Sequence, residues 1–73
     1  MIFIIDIMSE PESGGESHVI ERRTHSGATV EEALQTARRN LRGPAGAYSF
    51  AMRTYKYGKE VGRWRASDIV PLS

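Results

Sequence analysis

An amphipathic helix between two pairs of strand-like segments most constrains how this chain can fold. The spacing predicts the helix over residues 30–42, with its apolar residues on one stripe: Val30, Ala33, Leu34, Ala37 and Leu41. Thr29 and Glu32 form a capping box at the start, and Gly43-Pro44 is a stop signal. With one helix, a sheet built from the remaining chain is covered on one face only.

Apolar and alternating segments predict four strands, at residues 2–8, 18–26, 47–57 and 60–67. The first is apolar on both faces and is therefore expected to be central. Gly58-Lys59 predicts a tight turn between the last two strands. The fold class that follows is α+β, with the order β-β-α-β-β. Its four-stranded antiparallel sheet has the strand order 2-1-3-4, and one helix packs on one face.

The alternation of side chains assigns residues to the two faces of this sheet. The core face is expected to hold the helix stripe together with Phe3, Ile5, Ile7, Tyr48, Phe50 and Met52. The other face of the third strand carries Ser49, Ala51, Arg53, Tyr55 and Tyr57. The fourth strand leaves two alternatives, because either Arg63 and Arg65 or Trp64 point outward.

Length and composition favour one small domain over residues 1–73. The polar, acidic segment 9–17 is predicted to be a mobile loop, and residues 71–73 a flexible tail. The chain has no cysteine, which excludes disulfides and cysteine-based metal sites. The apolar run at the start is short and interrupted by Asp6, so we expect no membrane span, no signal peptide and a cytoplasmic location.

Charge is distributed unevenly along the chain. Residues 1–37 hold seven acidic and two basic residues, and residues 38–73 hold eight basic and two acidic ones. A secondary basic patch is predicted at the helix end, with Arg38, Arg39 and Arg42, which could bind phosphate together with Lys56 and Lys59. The alternative is that these arginines only complement the helix dipole.

The titratable residues do not indicate catalysis. His18 and His25 are seven residues apart on a predicted strand and thus on opposite faces. The glutamates of the acidic loop lack a fixed, partly buried setting, and no serine has the glycine-flanked pattern of a nucleophile elbow. We therefore predict a non-enzymatic protein with no catalytic residues, no metal site and no cofactor.

Two short segments resemble known families. Residues 47–52 resemble the aromatic strand of RNA-recognition-motif domains, although Gly46 stands where that motif has a basic residue and Arg53 where it has an aromatic one. Residues 26–34 are similar to the helix entry of HicB-type antitoxin domains, which bind a partner protein. That family has three strands before the helix, and two are predicted here.

Two functions fit these residues. The first is an interaction module that forms a homodimer or binds a partner protein through the uncovered sheet face, since Tyr, Trp and Arg are enriched at interfaces. The second is binding of single-stranded nucleic acid, since bases stack on aromatic rings and guanidinium groups while phosphate meets positive charge. The candidate binding face is the same in both cases: Arg53, Tyr55, Tyr57, Arg63, Trp64 and Arg65.

Overall fold

The computed structural model describes residues 1–68 and confirms the predicted α+β fold. The elements are β1 (Ile2–Met8), β2 (Val19–Ser26), α1 (Val30–Asn40), β3 (Ser49–Thr54), β4 (Glu60–Arg65) and a short 3-10 helix (Ala66–Asp68). The strands form an antiparallel sheet in the order β2-β1-β3-β4. The predicted flexible tail at 71–73 lies outside the described residues.

The central strand β1 sets the register of the sheet. Asp6 lies opposite Arg22 on β2 and opposite Ala51 on β3, which in turn lies opposite Arg63 on β4. The register shifts between Ile7 and Met8 on the β2 side, and again between Met52 and Arg53 on the β4 side. All four strands therefore contribute side chains to each face.

The helix begins as predicted and ends earlier than predicted. Thr29 caps its start, with the Oγ1 atom accepting a hydrogen bond from the backbone N–H of Glu32 at 3.1 Å. Its last residue is Asn40, because Leu41 is already extended, with φ −76° and ψ 117°. Gly43 does not adopt a left-handed conformation. A Cβ at this position would lie 2.5 Å from the Cβ of Ala47, so glycine is required here by close packing.

The core lies between the helix and one face of the sheet. Its buried residues are Phe3, Ile5, Ile7, Ala33, Ala37, Phe50, Met52 and Trp64. Trp64 is only 4% exposed and stacks on Phe50, with ring centroids 5.4 Å apart. The prediction of Trp64 as a binding-face residue is thus wrong, because the indole fills the helix-facing side of the sheet. Tyr48, predicted in the core, is only half-buried and lies just before β3.

The turn between β3 and β4 is longer than predicted. Thr54 and Lys59 are joined by a backbone hydrogen bond of 2.9 Å, which closes a loop over residues 55–58. Gly58 has a φ of 67°, so glycine does supply the left-handed conformation at the end of this loop. Tyr55 and Tyr57 consequently lie in the loop rather than on a strand.

Candidate interaction surface on the open sheet face

The sheet face turned away from the helix is the candidate surface, and we call it the open face. Its residues alternate with the helix-facing ones along each strand and lie opposite one another in the register. They are Ile2, Ile4, Asp6, Met8, Val19, Arg22, Thr24, Ser26, Ser49, Ala51, Arg53, Glu60, Arg63 and Arg65. Neighbouring strands thus bring together residues that are up to 49 positions apart in the sequence, as in the pair of Ile4 and Arg53.

Asp6 organises the centre of the open face. Its carboxylate accepts hydrogen bonds from Nε of Arg22 at 2.6 Å and from Nε of Arg53 at 3.1 Å. Partial burial by itself would raise the pKa of Asp6, but these hydrogen bonds and the two positive charges outweigh it, so the pKa lies below its ordinary value of 3.8. One carboxylate therefore ties β1 to both neighbouring strands and fixes two guanidinium groups.

Two more arginines extend from the edge strand β4. Nη2 of Arg63 donates to Oε1 of Glu60 at 2.7 Å, and both side chains are well exposed. The Arg65 guanidinium lies 4.8 Å from the centre of the Tyr48 ring. Four arginines thus share the open face with two acidic residues, which leaves a net charge of +2. The face attracts anionic groups.

Apolar side chains surround this charged centre. Ile2 is 56% exposed and Val19 44% exposed, at opposite ends of the face. Ile2 and Tyr55 line an open depression together with Thr24 and Ser26. The open face is therefore a mixture of uncovered aliphatic groups and fixed charges.

The structure brings together only part of the predicted binding face. Arg53, Arg63 and Arg65 do share the open face, and Tyr55 borders it beside Ile2. Tyr57 does not join the open face, because it lies in the hairpin loop. It is 82% exposed there, and Nζ of Lys56 lies 5.5 Å from its ring centre.

The secondary basic patch lies on the helix side of the molecule. Arg38 and Arg39 are exposed in the last turn of α1, and Nη1 of Arg42 donates to the Arg39 carbonyl at 3.2 Å. This helix end leads to Gly43, which packs near Ile7 at one end of the sheet.

The two lysines predicted to join this patch lie elsewhere. Lys56 and Lys59 belong to the hairpin at the other end of the sheet, where the N–H of Tyr55 bonds the Ile2 carbonyl at 3.1 Å. The predicted combination of these lysines with the helix-end arginines is therefore wrong, because the length of the sheet separates them.

Asp6 and Arg22 were not predicted as functional residues. The signal for them was present, since Asp6 is the one charged residue on an otherwise apolar central strand. The predicted strand order also places β2 and β3 on either side of it. What the sequence did not reveal is which arginines the register would bring within bonding distance.

The histidines have separate roles. His25 is half-buried, and its Nε2 lies 3.2 Å from the Ala33 carbonyl of the helix. His18 is exposed at the base of the acidic loop, where its backbone N–H donates to Oγ of Ser9 at 3.0 Å. Among residues 1–68, no three His, Asp or Glu side chains are grouped so that they could hold a metal ion. In the same range no helix has the length and apolarity to cross a membrane.

No protein-family model, curated protein or solved structure matches the chain.

Proposed function

We propose that this chain is a non-enzymatic interaction module whose open face binds protein, and that its binding partner is a second copy of the same chain. One observation carries the proposal: β1 has large apolar side chains on both faces, with Asp6 its one charged residue, and the helix covers only one of these faces. A central strand of this kind is ordinarily covered on both sides.

The composition of the open face supports a protein occupant. Arginine and aliphatic side chains alternate across it, and Asp6 holds two of the arginines in place before any partner arrives. Side chains fixed in this way lose little conformational entropy on binding. Small domains also gain stability when they self-associate, because a single thin core contributes only a few kcal/mol.

Binding of single-stranded nucleic acid is the second candidate function. Four arginines on one face favour it. The aromatic groups that would stack on bases, however, do not lie at the centre of the open face. Trp64 is in the core and Tyr57 is in the hairpin loop. Without rings at the centre of the face, a protein surface is the better fit.

The test is sedimentation equilibrium of the chain and of the Ile4→Lys variant. Ile4 lies on the open face of β1, so the lysine places a charge in the proposed interface. We expect the wild type to sediment as a dimer and the variant at the monomer mass of 8.2 kDa. The matched control is Gln35→Lys on the exposed side of the helix, which should leave the dimer intact.

Two outcomes contradict the proposal. A wild type that stays monomeric up to about 1 mM does not self-associate with useful affinity. An Ile4→Lys variant that is folded by circular dichroism and still dimeric places the interface elsewhere.

A separate NMR titration with single-stranded RNA tests the second function. Salt-sensitive shifts on β3 and β4 that disappear in the Arg53→Ala/Arg63→Ala variant would favour nucleic acid as the ligand.

A further inference from the structure

The loop between β1 and β2 carries unpaired negative charge. Glu10, Glu12 and Glu16 are all exposed, and within residues 1–68 their carboxylates have no ion-pair or hydrogen-bond partner. The base of the loop is closed by the Ser9 N–H, which donates to the His18 carbonyl at 2.8 Å. The loop thus presents three carboxylates at one end of the sheet.

The two arginines of β4 on the open face lie away from this loop. The loop connects β1 and β2, whereas Arg63 and Arg65 belong to β4, two strands away from β1. Strands are about 4.8 Å apart, so about 10 Å separates the loop base from these arginines. The Arg65 guanidinium meets only the Tyr48 ring among the described side chains. The loop and the face are complementary in charge and do not meet within one chain.

The loop would enlarge a contact between two open faces. Four strands about 4.8 Å apart and six to eight residues long make a face of roughly 20 by 25 Å. A stable interface buries about 800 Å² of accessible surface on each partner. A loop that reaches over the edge of the partner adds to the surface that such a contact buries.

We infer that the chain forms a symmetric dimer in which the acidic loop of each copy docks on the β4 arginines of the other. The inference rests on the proposed function and adds the residues that determine the specificity of self-association. The second copy supplies apolar cover for Ile4 and its neighbours, and it supplies carboxylates for Arg63 and Arg65. Because the pairing is reciprocal, both contacts form in the same complex.

The first experiment removes the charge of the loop. In sedimentation equilibrium at low salt, Glu10→Gln/Glu12→Gln should weaken the dimer Kd by about ten- to a hundredfold, because the symmetric dimer loses four carboxylates and exposed ion pairs each contribute a few-fold in affinity. Raising the salt should weaken the wild type and have less effect on the variant. The matched control is Glu31→Gln/Glu32→Gln, which removes the same charge from the helix side and should leave the Kd unchanged.

The second experiment exchanges the charges. The loop variant Glu10→Lys/Glu12→Lys and the face variant Arg63→Glu/Arg65→Glu should each be monomeric, because each places like charges against each other. Mixed in equal amounts they should form a heterodimer with a Kd close to that of the wild type. In the mixture, the lysine loop meets the glutamate face and the unchanged loop meets the unchanged face.

The outcomes separate this inference from the proposed function. If the mixture stays monomeric while both variants are folded, the loop does not dock in trans and the inference is wrong. If loop variants dimerise like the wild type while Ile4→Lys does not, the open face is the interface but the loop plays no part. If the wild type itself is monomeric, self-association through the open face fails, and the loop inference fails with it.

Discussion

Replacing Asp6 by asparagine tests whether one carboxylate joins three strands. The change preserves shape and removes the charge that both Arg22 and Arg53 bond. Hydrogen bonds to charged groups contribute about 1.5–3 kcal/mol when shielded from water. The Arg22 side chain is 57% exposed, so its share falls to about 0.5 kcal/mol. Arg53 is 29% exposed and retains about 1 kcal/mol or slightly more.

We therefore expect Asp6→Asn to lower the free energy of unfolding by about 1.5–2 kcal/mol at pH 7. The folded-state pKa of Asp6 is depressed. Its stabilisation is thus complete above the unfolded-state pKa and is lost as the pH falls through the lower, folded-state pKa. The difference between wild type and variant should consequently shrink towards zero below the ordinary value of 3.8.

Urea denaturation followed by circular dichroism at several pH values measures this difference. Glu12→Gln is the matched control at a protein concentration low enough for the chain to be monomeric, because it makes the same chemical change at a carboxylate without a partner in the described chain. It should leave the stability unchanged at every pH. Equal stability of Asp6→Asn and the wild type at pH 7 would refute the reasoning, and so would a difference that persists unchanged at pH 2.

Three further substitutions test the packing and the caps. Gly27→Ala would bring a Cβ to 2.7 Å from the Cβ of Ala33 in the helix. We therefore expect urea denaturation to show a free energy of unfolding lower by about 1–3 kcal/mol, and a variant as stable as the wild type would contradict this packing. Thr29→Ala removes the cap on the N–H of Glu32 and should cost about 1 kcal/mol, while Thr29→Ser should restore most of it; an equally unstable serine variant would exclude the cap as the cause. Trp64→Ala should lower the free energy of unfolding by about 3–5 kcal/mol and abolish the near-ultraviolet circular dichroism signal of a packed indole. A small loss of stability would contradict the burial of this residue.

The strand order and the two faces of β1 followed from local patterns. Its apolar residues alternate over seven positions, and the single helix leaves only one side for a core. The helix start was predictable for the same reason, since Thr29 and Glu32 act within one turn. The helix end was not predictable. The helix stops at Asn40, before the predicted stop signal, and Gly43 is required by its contact with Ala47, a residue outside the helix.

The orientation of β4 could not be predicted because it depends on two non-local features. A four-residue hairpin loop and a register shift opposite Met52 together decide which set of alternating residues faces the helix. The candidate site was affected directly: Trp64 was placed among the surface residues as one of two alternatives. Asp6 was missed as a centre for the same reason, since its bonds to Arg22 and Arg53 exist only in this register.

The edge strand β2 differs from the other three strands in that none of its eight residues is fully buried. Its pairing with β1 is supplemented by the bond between Arg22 and Asp6. In addition, Arg23 donates to the Arg42 carbonyl just after the helix, and the His25 ring lies against the Ala33 carbonyl within the helix. A strand attached so lightly opens at a lower free energy than the core elements. In hydrogen exchange, the amides of β2 and the β1 amides that bond to β2 should lose protection first, while the amides bonded between β1 and β3 exchange only on global unfolding. Detachment of β2 would expose the edge of the apolar strand β1, so it is also the step at which this fold is open to strand exchange between copies.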